Sequence, residues 1–542
     1  MLRSRTLAAA VFVVVISALV GGFFGRSALA TQDREADRVF AAALSAVENG
    51  YVEKVDSERL VYAAIGGMLQ TLDPHSNFLD PRTYAQLRER QEGRYYGLGI
   101  TIQVIDGDIT VVSLFEGSPA YRRGIRRGDV IARIAGEDTK GWTSDRAVKA
   151  LRGPKGSFVE IGIRRAGYDQ PIPLSVERDE IQIPTIQGVF MIDDRTGYVR
   201  LRDFSETTDR DLGRAIDELT TKGMKQLLLD LRDNPGGPLD QAIKVSNRFL
   251  PRGDMIVYTR GRVPNSDQDY RATEDPSVPA LPVVVLVNRN SASAAEIVSG
   301  ALQDHDRGLV VGETTFGKAL VQSIYRISNG AGLALTTARY YTPSGRLIQR
   351  PWDGSFDEYL TYTLRDQDTP REHAPAELKY TDLGRKVYSG GGIEPDKSMA
   401  GPVEGFNPTR FGRSLYARQA FATYAQRFSA EGDTRIQVQG KNRRFVRQTF
   451  EVTDEMVADF KSFLVNEMRM RVDEEGFRKD LDFIRAMIRY DIDLALFGVE
   501  EARRHLLAKE PQAQFALDQF PEAIKLTQLS RSRTTARRSE GR

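Results

Sequence analysis

The chain has 542 residues, 41% of them hydrophobic, enough for about three or four domains of roughly 100–200 residues each. Its 76 basic and 74 acidic residues leave a formal charge of +2, so no field favours nucleic acid or a membrane surface. The absence of cysteine excludes disulfides, thiol catalysis and thiolate metal sites. The four histidines are scattered without metal-ligand spacing, and no phosphate-cradling glycine motif precedes a helix, so no metal, ATP or other cofactor is expected.

At the N-terminus, Arg3 and Arg5 precede an apolar stretch from Leu7 to Phe24 and then Ala28-Leu29-Ala30. Basic region, apolar region and A-x-A site describe a secretory signal peptide. The apolar stretch also approaches the length of a membrane span, about 20 residues. Residues 1–30 are therefore read as a signal peptide cleaved after Ala30 or as a retained N-terminal anchor. Either way the rest of the chain is expected outside the cytoplasm, most simply in a bacterial periplasm. Residues 31–94 read as helical, with Val39, Ala43 and Val47, and then Leu60, Ala64 and Met68, at four-residue spacing. Faces this broad pack against the main body of the chain or a second copy. Leu72-Asp73-Pro74-His75-Ser76 breaks the region, and His75 reads as a turn residue, not a ligand.

Residues 95–180 read as short strands around one helix. Gly97-Leu98-Gly99-Ile100 leads into an alternating strand with Ile102 and Val104; a helix from Ser144 to Leu151 follows further on. The pattern resembles a PDZ domain. A loop of this kind presents N–H groups to a peptide's terminal carboxylate, and the strand after it pairs with the peptide. The groove is expected to be floored by Leu98 and Ile100 and walled by Ala147, Val148 and Leu151, favouring an apolar terminal side chain. A small barrel serving only as a spacer is the alternative.

Residues 181–400 alternate apolar strands (Gly197–Leu201, Gln226–Leu231, Val283–Val287, Leu309–Val311) with helical stretches (Asp209–Leu219, Leu239–Leu250, Ala294–Gln303). That alternation implies βαβ units. The charged, turn-rich stretch from Asp353 to Gly390 reads as irregular. Three segments in this region carry chemistry. Val283–Val287 enters Asn290-Ser291-Ala292-Ser293-Ala294-Ala295-Glu296, a tight turn opening a helix, where a serine stands beside unpaired N–H groups. Such a serine can attack a carbonyl while those donors hold the oxyanion. Ser293 and Glu296 equally fit a capping box. Lys318, in an apolar stretch, can act as the base once burial lowers its pKa, and Gln322 shares its face in either helix or strand. A Ser–His–Asp set is poorly supplied, since only His305 of the four histidines lies near, within a charged run. The third segment, Leu227 to Gly237, ends a buried strand in a glycine turn whose N–H groups can approach a ligand oxygen. Alone, each segment is an ordinary cap, a solvated lysine or a turn.

Past Pro402, Val457–Met468 and Phe477–Phe497 carry apolar residues at helical spacing, for docking, dimerisation or capping of the core. Ser530–Arg542, with five arginines, reads as a disordered solvated tail.

Together, Leu231-Arg232-Asp233-Asn234-Pro235-Gly236-Gly237, Ser291-Ala292-Ser293-Ala294-Ala295-Glu296 and Gly312-Glu313-Thr314-Thr315-Phe316-Gly317-Lys318 resemble the C-terminal processing peptidases, or tail-specific proteases. The order of the segments and the 25 residues from Ser293 to Lys318 match that family, and the likeness runs from roughly Asp33 to Asp396. Leu72–Ser76, Ala338-Arg339-Tyr340-Tyr341-Thr342-Pro343-Ser344-Gly345 and Gly392–Asp396 belong to it as well. The resemblance implies Ser293, not Ser291, as nucleophile, Lys318 as general base and Gln322 as the residue that positions the lysine. It implies an oxyanion hole from the Ala294 N–H and one N–H of Gly236 or Gly237. Asp304 falls where some members carry an important aspartate and is assigned a structural role. Arg152 falls where an arginine couples the PDZ domain to the protease in some members; a solvated helix-end arginine is the other reading. The implied architecture is multidomain α/β: a core similar to the crotonase-like and Clp-protease spirals (181–400), an inserted PDZ domain (95–180), and helical N-terminal (31–94) and C-terminal (401–542) regions. The expected function is periplasmic serine endoproteolysis, with protein C-termini captured by the PDZ domain; a catalytically silent PDZ adaptor is the alternative. Expected partners are substrates with free apolar C-termini, a second copy through the helical terminal regions, and a lipoprotein or other adaptor.

Overall fold

A computed structural model describes residues 35–165, 168–278, 280–352, 356–361, 363, 372–399, 408–429 and 446–540. The signal or anchor expected at 1–30 lies outside the described residues, among which no helix is long and apolar enough to cross a membrane. The chain forms two compact units, one comprising residues up to Tyr84 with Gln322–Thr336, the other Ala85–Val321 with Thr337 onward.

In the first unit, a helix spans residues 35–50 and a second spans Ser57–Gln70, capped by Asp56, whose side chain accepts the Glu58 and Arg59 N–H groups. The apolar spacing lies on these helices, but Val39, Phe40, Val47 and Met68 stay exposed. The region is not helical throughout. Asp73 accepts the N–H groups of His75 and Ser76 at 2.8 Å each, an Asx turn that stops the helix. Asn77–Leu79 then forms a strand antiparallel to Gly332–Ala334, with Phe78 packed on Tyr62 at 4.7 Å between ring centroids. The pairing partner is some 250 residues away, which is why helical spacing alone missed it.

In the second unit, Ile100–Ile105, Asp108–Leu114, Val130–Ile134, Phe158–Arg164 and Ile172–Glu177 form an antiparallel sheet around buried Leu98, Ile109, Val111, Ile131 and Ile163. Ile100–Ile105 is an edge strand, its outer N–H and C=O groups open to another chain. Helix Ser144–Leu151, capped by Thr143, buries Ala147 and Leu151 on this domain.

The largest sheet runs Ile186–Met191, Thr196–Leu201, Gln226–Asp230, Val283–Val287, Leu309–Gly312, Lys397–Ser398, antiparallel in its first pair and parallel thereafter. Its central strands are apolar without interruption because both faces are covered. Leu227, Leu229, Val283, Val285 and Val287 face helices Thr208–Thr221, Leu239–Asn247 and Ala294–Asp304. Leu228, Val284, Leu286, Leu309 and Val311 face the chain's last helices, Val499–Leu507, Pro511–Asp518 and Phe520–Glu540. The C-terminal region thus divides in two. Its end caps the core, while Arg410–Ala417, Ala420–Ser429, Asp454–Asn466, Glu474–Lys479 and Leu481–Leu496 surround an aromatic core of their own, with Phe421, Tyr424, Phe460 and Phe463.

Two expectations are corrected. Within Asp353–Gly390, read as irregular, Leu378–Tyr380 and Lys386–Tyr388 form a hairpin. The buried Asp306 carboxylate organises its turn, accepting Leu383 N–H at 2.5 Å and Arg385 Nε at 2.6 Å. At the C-terminus, helix continues to Glu540 where disorder was expected. Arginine and alanine are good helix formers, and the packed first turns of this helix supply its nucleus.

Candidate active site

Strand Val283–Val287 ends in a turn that several hydrogen bonds fasten to the neighbouring glycine turn. The Ser291 hydroxyl donates to the Leu231 carbonyl at 2.8 Å, and the Ala292 N–H donates to the Asn234 carbonyl at 2.9 Å. Ser291 is fully buried in this role. Ser293, half-buried, has φ 53° and ψ −114°, a backbone state that costs a non-glycine residue about 1–3 kcal/mol and that surrounding structure must impose. Helix Ala294–Asp304 starts immediately after it.

The glycine turn lies against this serine. A Cβ on Gly236 would stand 2.7 Å from the Ser293 Cβ and 2.8 Å from the Ala294 nitrogen; one on Gly237 would stand 2.3 Å from the Phe204 carbonyl oxygen. Both positions have positive φ, so only glycine fits. The Gly236 N–H donates to Asn234 Oδ1 at 2.8 Å. The Gly237 and Ala294 N–H groups have no hydrogen-bond acceptor among the described residues.

Lys318, half-buried, precedes strand Leu320–Arg326 by two residues. It meets the serine turn through a side chain known from sequence only as a cap. Glu296, completely buried, accepts the Ser293 N–H at 2.7 Å and the Lys318 N–H at 2.9 Å on the same oxygen, Oε2. Its Oε1 accepts the Thr315 hydroxyl and the Gly317 N–H at 2.6 Å each. The buried Tyr340 hydroxyl makes the same connection from the other side, donating toward the carbonyls of Ser293, at 3.2 Å, and of Lys318. The capping reading holds, and the cap does more: Glu296 caps the helix and ties the lysine loop to it. Sequence reasoning missed Tyr340 as a site residue, although Ala338–Gly345 contains it; nothing local marks one tyrosine among 20.

Burial pushes the Glu296 carboxyl from 4.5 up to about 7, while its four donors pull the other way. The native state then holds a proton at pH values where the unfolded chain has released it. Stability from this group is complete below about pH 4.5 and declines as pH rises through about 7. Glu296→Gln is expected to flatten that slope, as read by thermal unfolding between about pH 4.5 and 8. An unchanged slope in the variant would contradict the assignment.

Gln322, on strand Leu320–Arg326, is the first residue of that strand to belong to the first unit, and its amide donates to Thr336 Oγ1 at 3.4 Å. The Thr336 N–H donates to Ser76 Oγ at 3.1 Å, and Ser76 Oγ donates to Asp73 Oδ2 at 2.7 Å. The Leu72–Ser76 segment thus anchors the strand segment that carries Gln322. Asp304 is buried, its carboxylate paired with the fully buried Arg346 at 2.5 Å and accepting the Ser344 N–H at 2.9 Å. That arrangement holds the Thr342–Arg346 turn.

In the antiparallel domain of residues 95–180, Leu98, Ala147 and Leu151 are buried and Ile100 and Val148 half-buried beside the edge strand. Burial pushes the pKa of the Tyr95 hydroxyl up to about 12. Arg152 is not simply solvated. Its guanidinium lies 4.7 Å from the Tyr95 ring centroid and pairs with Glu89 at 2.5 Å.

A parallel-sheet core with a serine at a helix N-terminus beside a glycine turn, joined to a PDZ domain, defines the class. Residues 195–353 match peptidase family S41, residues 86–164 the PDZ domain, and residues 26–83 the N-terminal domain of the activating protease CtpB. A carboxy-terminal-processing protease of Bartonella bacilliformis is 41% identical over 307 residues, 56% of this chain and 70% of that protein. CtpA of Bacillus subtilis, a carboxy-terminal processing protease, is 36% identical over 351 residues, 62% of this chain and 74% of that one. Among solved structures, the photosystem II D1 C-terminal processing protease is 29% identical, covering 67% of this chain and 93% of that one, with a TM-score of 0.35. The chain belongs to the carboxy-terminal-processing proteases of family S41, which are serine peptidases with a PDZ domain. Family membership favours the enzyme over the silent adaptor.

Proposed function

We propose that the chain is a periplasmic endopeptidase in which Ser293 is the nucleophile and Lys318 the general base. The observation that carries this reading is the single Glu296 oxygen bonded to both the Ser293 and the Lys318 N–H, at 2.7 and 2.9 Å. It joins residues from separate segments at a helix N-terminus, beside the turn where only glycine fits. Ser293 Oγ attacks the scissile carbonyl carbon as its proton passes to Lys318 Nζ. The oxyanion is held by the N–H groups of Ala294 and Gly237, because that of Gly236 is already donated to Asn234. The tetrahedral intermediate collapses, the lysine returns the proton to the departing amine, and water then hydrolyses the acyl-serine by the same base. The family resemblance assigns Gln322 the positioning of the lysine, and Asp304 holds the Thr342–Arg346 turn.

Substrate is captured by its C-terminus: the terminal carboxylate on the Gly97–Ile100 loop, an apolar last side chain in the pocket of Leu98, Val148 and Leu151, the peptide paired with strand Ile100–Ile105. Arg152, beside that loop, relays occupancy toward the protease. The test is cleavage of an internally quenched peptide ending in alanine or valine, with its terminus free or amidated. Loss of a charge-assisted hydrogen bond is expected to raise KM about 10- to 150-fold. Equal values for the two peptides would remove the tail-specific part of the reading; no cleavage of either would remove the enzyme.

The basic and apolar N-terminus supports export, with the protein soluble after cleavage or anchored to the inner membrane, which cell fractionation checks. The exposed Val39, Phe40, Val47 and Met68 support a second copy, or a lipoprotein or other adaptor, as partner for the helical N-terminal region, which light scattering checks.

A further inference from the structure

Helix Pro511–Asp518 begins against the glycine-turn segment, not on open surface. Its N-cap residue Glu510 accepts a hydrogen bond from Arg232 Nη2 at 2.8 Å, and Gln512 Oε1 accepts one from Nη1 at 3.3 Å. Arg232 is 3% exposed and stands four residues before Gly236. Its other partner is the wholly buried Asp230, bonded from Nε at 3.0 Å and from Nη2 at 2.8 Å. Asp230 is shared, since Arg200 Nη1 lies 3.3 Å from it and the Tyr198 hydroxyl donates to it at 2.8 Å. Two buried guanidinium groups therefore face one buried carboxylate. Arg200 has a second anion in Asp233, at 3.1 Å; for Arg232 the second anion is Glu510.

A buried cation deprived of its counter-charge moves toward water or is destabilised. Arg232 cannot move without its neighbours. The Leu231 carbonyl holds the Ser291 hydroxyl at 2.8 Å, the Asp233 N–H donates to Asn288 Oδ1 at 2.9 Å, and the Asn234 carbonyl holds the Ala292 N–H at 2.9 Å. Every one of these bonds ends on the turn that carries Ser293.

We propose that Glu510 is a positioning residue for peptide hydrolysis: acting through Arg232, the C-terminal region holds the Gly236–Gly237 turn in register with Ser293. The inference rests on the assignment of Ser293 as nucleophile and extends it by giving the C-terminal helices a part in the chemistry.

The test uses the full chain with Glu510→Ala, Glu510→Gln and Arg232→Lys. Five quantities are measured: kcat and KM on a free-tail peptide, affinity for a peptide boronic acid, affinity for an uncleavable tail peptide, and the unfolding midpoint. In Glu510→Ala, kcat is expected to fall about 10-fold with KM within about 2-fold. Boronic acid affinity should fall in step, because that adduct is tetrahedral at the serine, while tail-peptide affinity stays unchanged. Glu510→Gln, which keeps an acceptor but no charge, should lie between, and adding Arg232→Lys to Glu510→Ala should cost little more than either alone. A folded Glu510→Ala protein with parental kcat overturns the proposal. So does a lowered midpoint with kcat per folded molecule unchanged, the mark of a merely structural contact. If the alanine variant fails to fold, Glu510→Gln decides. A boronic acid that binds Ser293→Ala as tightly as the parent would instead remove the serine assignment itself.

Discussion

Replacing Ser293 with alanine is expected to lower the rate of peptide hydrolysis by about 10⁴-fold or more while leaving the fold intact. The side chain is half-buried at the mouth of a turn, and the bonds that shape this turn come from Ser291, Ala292 and the Ser293 backbone, none of which the substitution removes. Lys318→Ala should be equally inactive, and Lys318→Arg as well, because arginine stays protonated and cannot accept the serine proton. Ser291→Ala should retain measurable activity at some loss of stability, since its hydroxyl joins the two turns and faces no substrate. Initial rates on a free-tail peptide, with circular dichroism as the folding control, check all four. Residual activity in Ser293→Ala above about 1% of the parent would assign the nucleophile elsewhere.

Deleting residues 499–542 should have the largest effect on stability. These helices cover one face of the central sheet, where Tyr198, Leu228, Val284, Leu286, Leu309 and Val311 are each at most 2% exposed. Exposing one such side chain costs about 1.5–3 kcal/mol. Six of them together rival or exceed the whole margin of a typical domain, about 5–15 kcal/mol. The truncated core is expected to be insoluble or molten. A soluble protein ending at residue 498 that unfolds cooperatively at the parental midpoint would mean that the cap is dispensable. The buried Arg232 would lose Glu510 in the same deletion, so point variants, not truncation, are needed to separate stability from chemistry.

The strands at 197–201, 226–231, 283–287 and 309–311, and the helices between them, are legible in the sequence because a parallel strand buried on both faces must be apolar without interruption. The glycine turn is legible too, since positive φ narrows the choice of residue nearly to one. The serine and lysine segments are legible only jointly, through their order and spacing. What the sequence by itself determines is thus whatever a short window must satisfy: periodicity, capping and turn geometry. Tertiary structure alone decides which windows meet. Glu296 has the local signature of a cap, yet its second function comes from Gly317 and Lys318, more than 20 residues on. Tyr340 serves the site from a strand 47 residues past Ser293, and strand Asn77–Leu79 finds its partner beyond residue 330. Arg232 finds Glu510 at a separation of 278 residues. Such pairings leave no periodic trace, because a buried charge or hydroxyl needs only one partner at about 3 Å, wherever along the chain that partner lies.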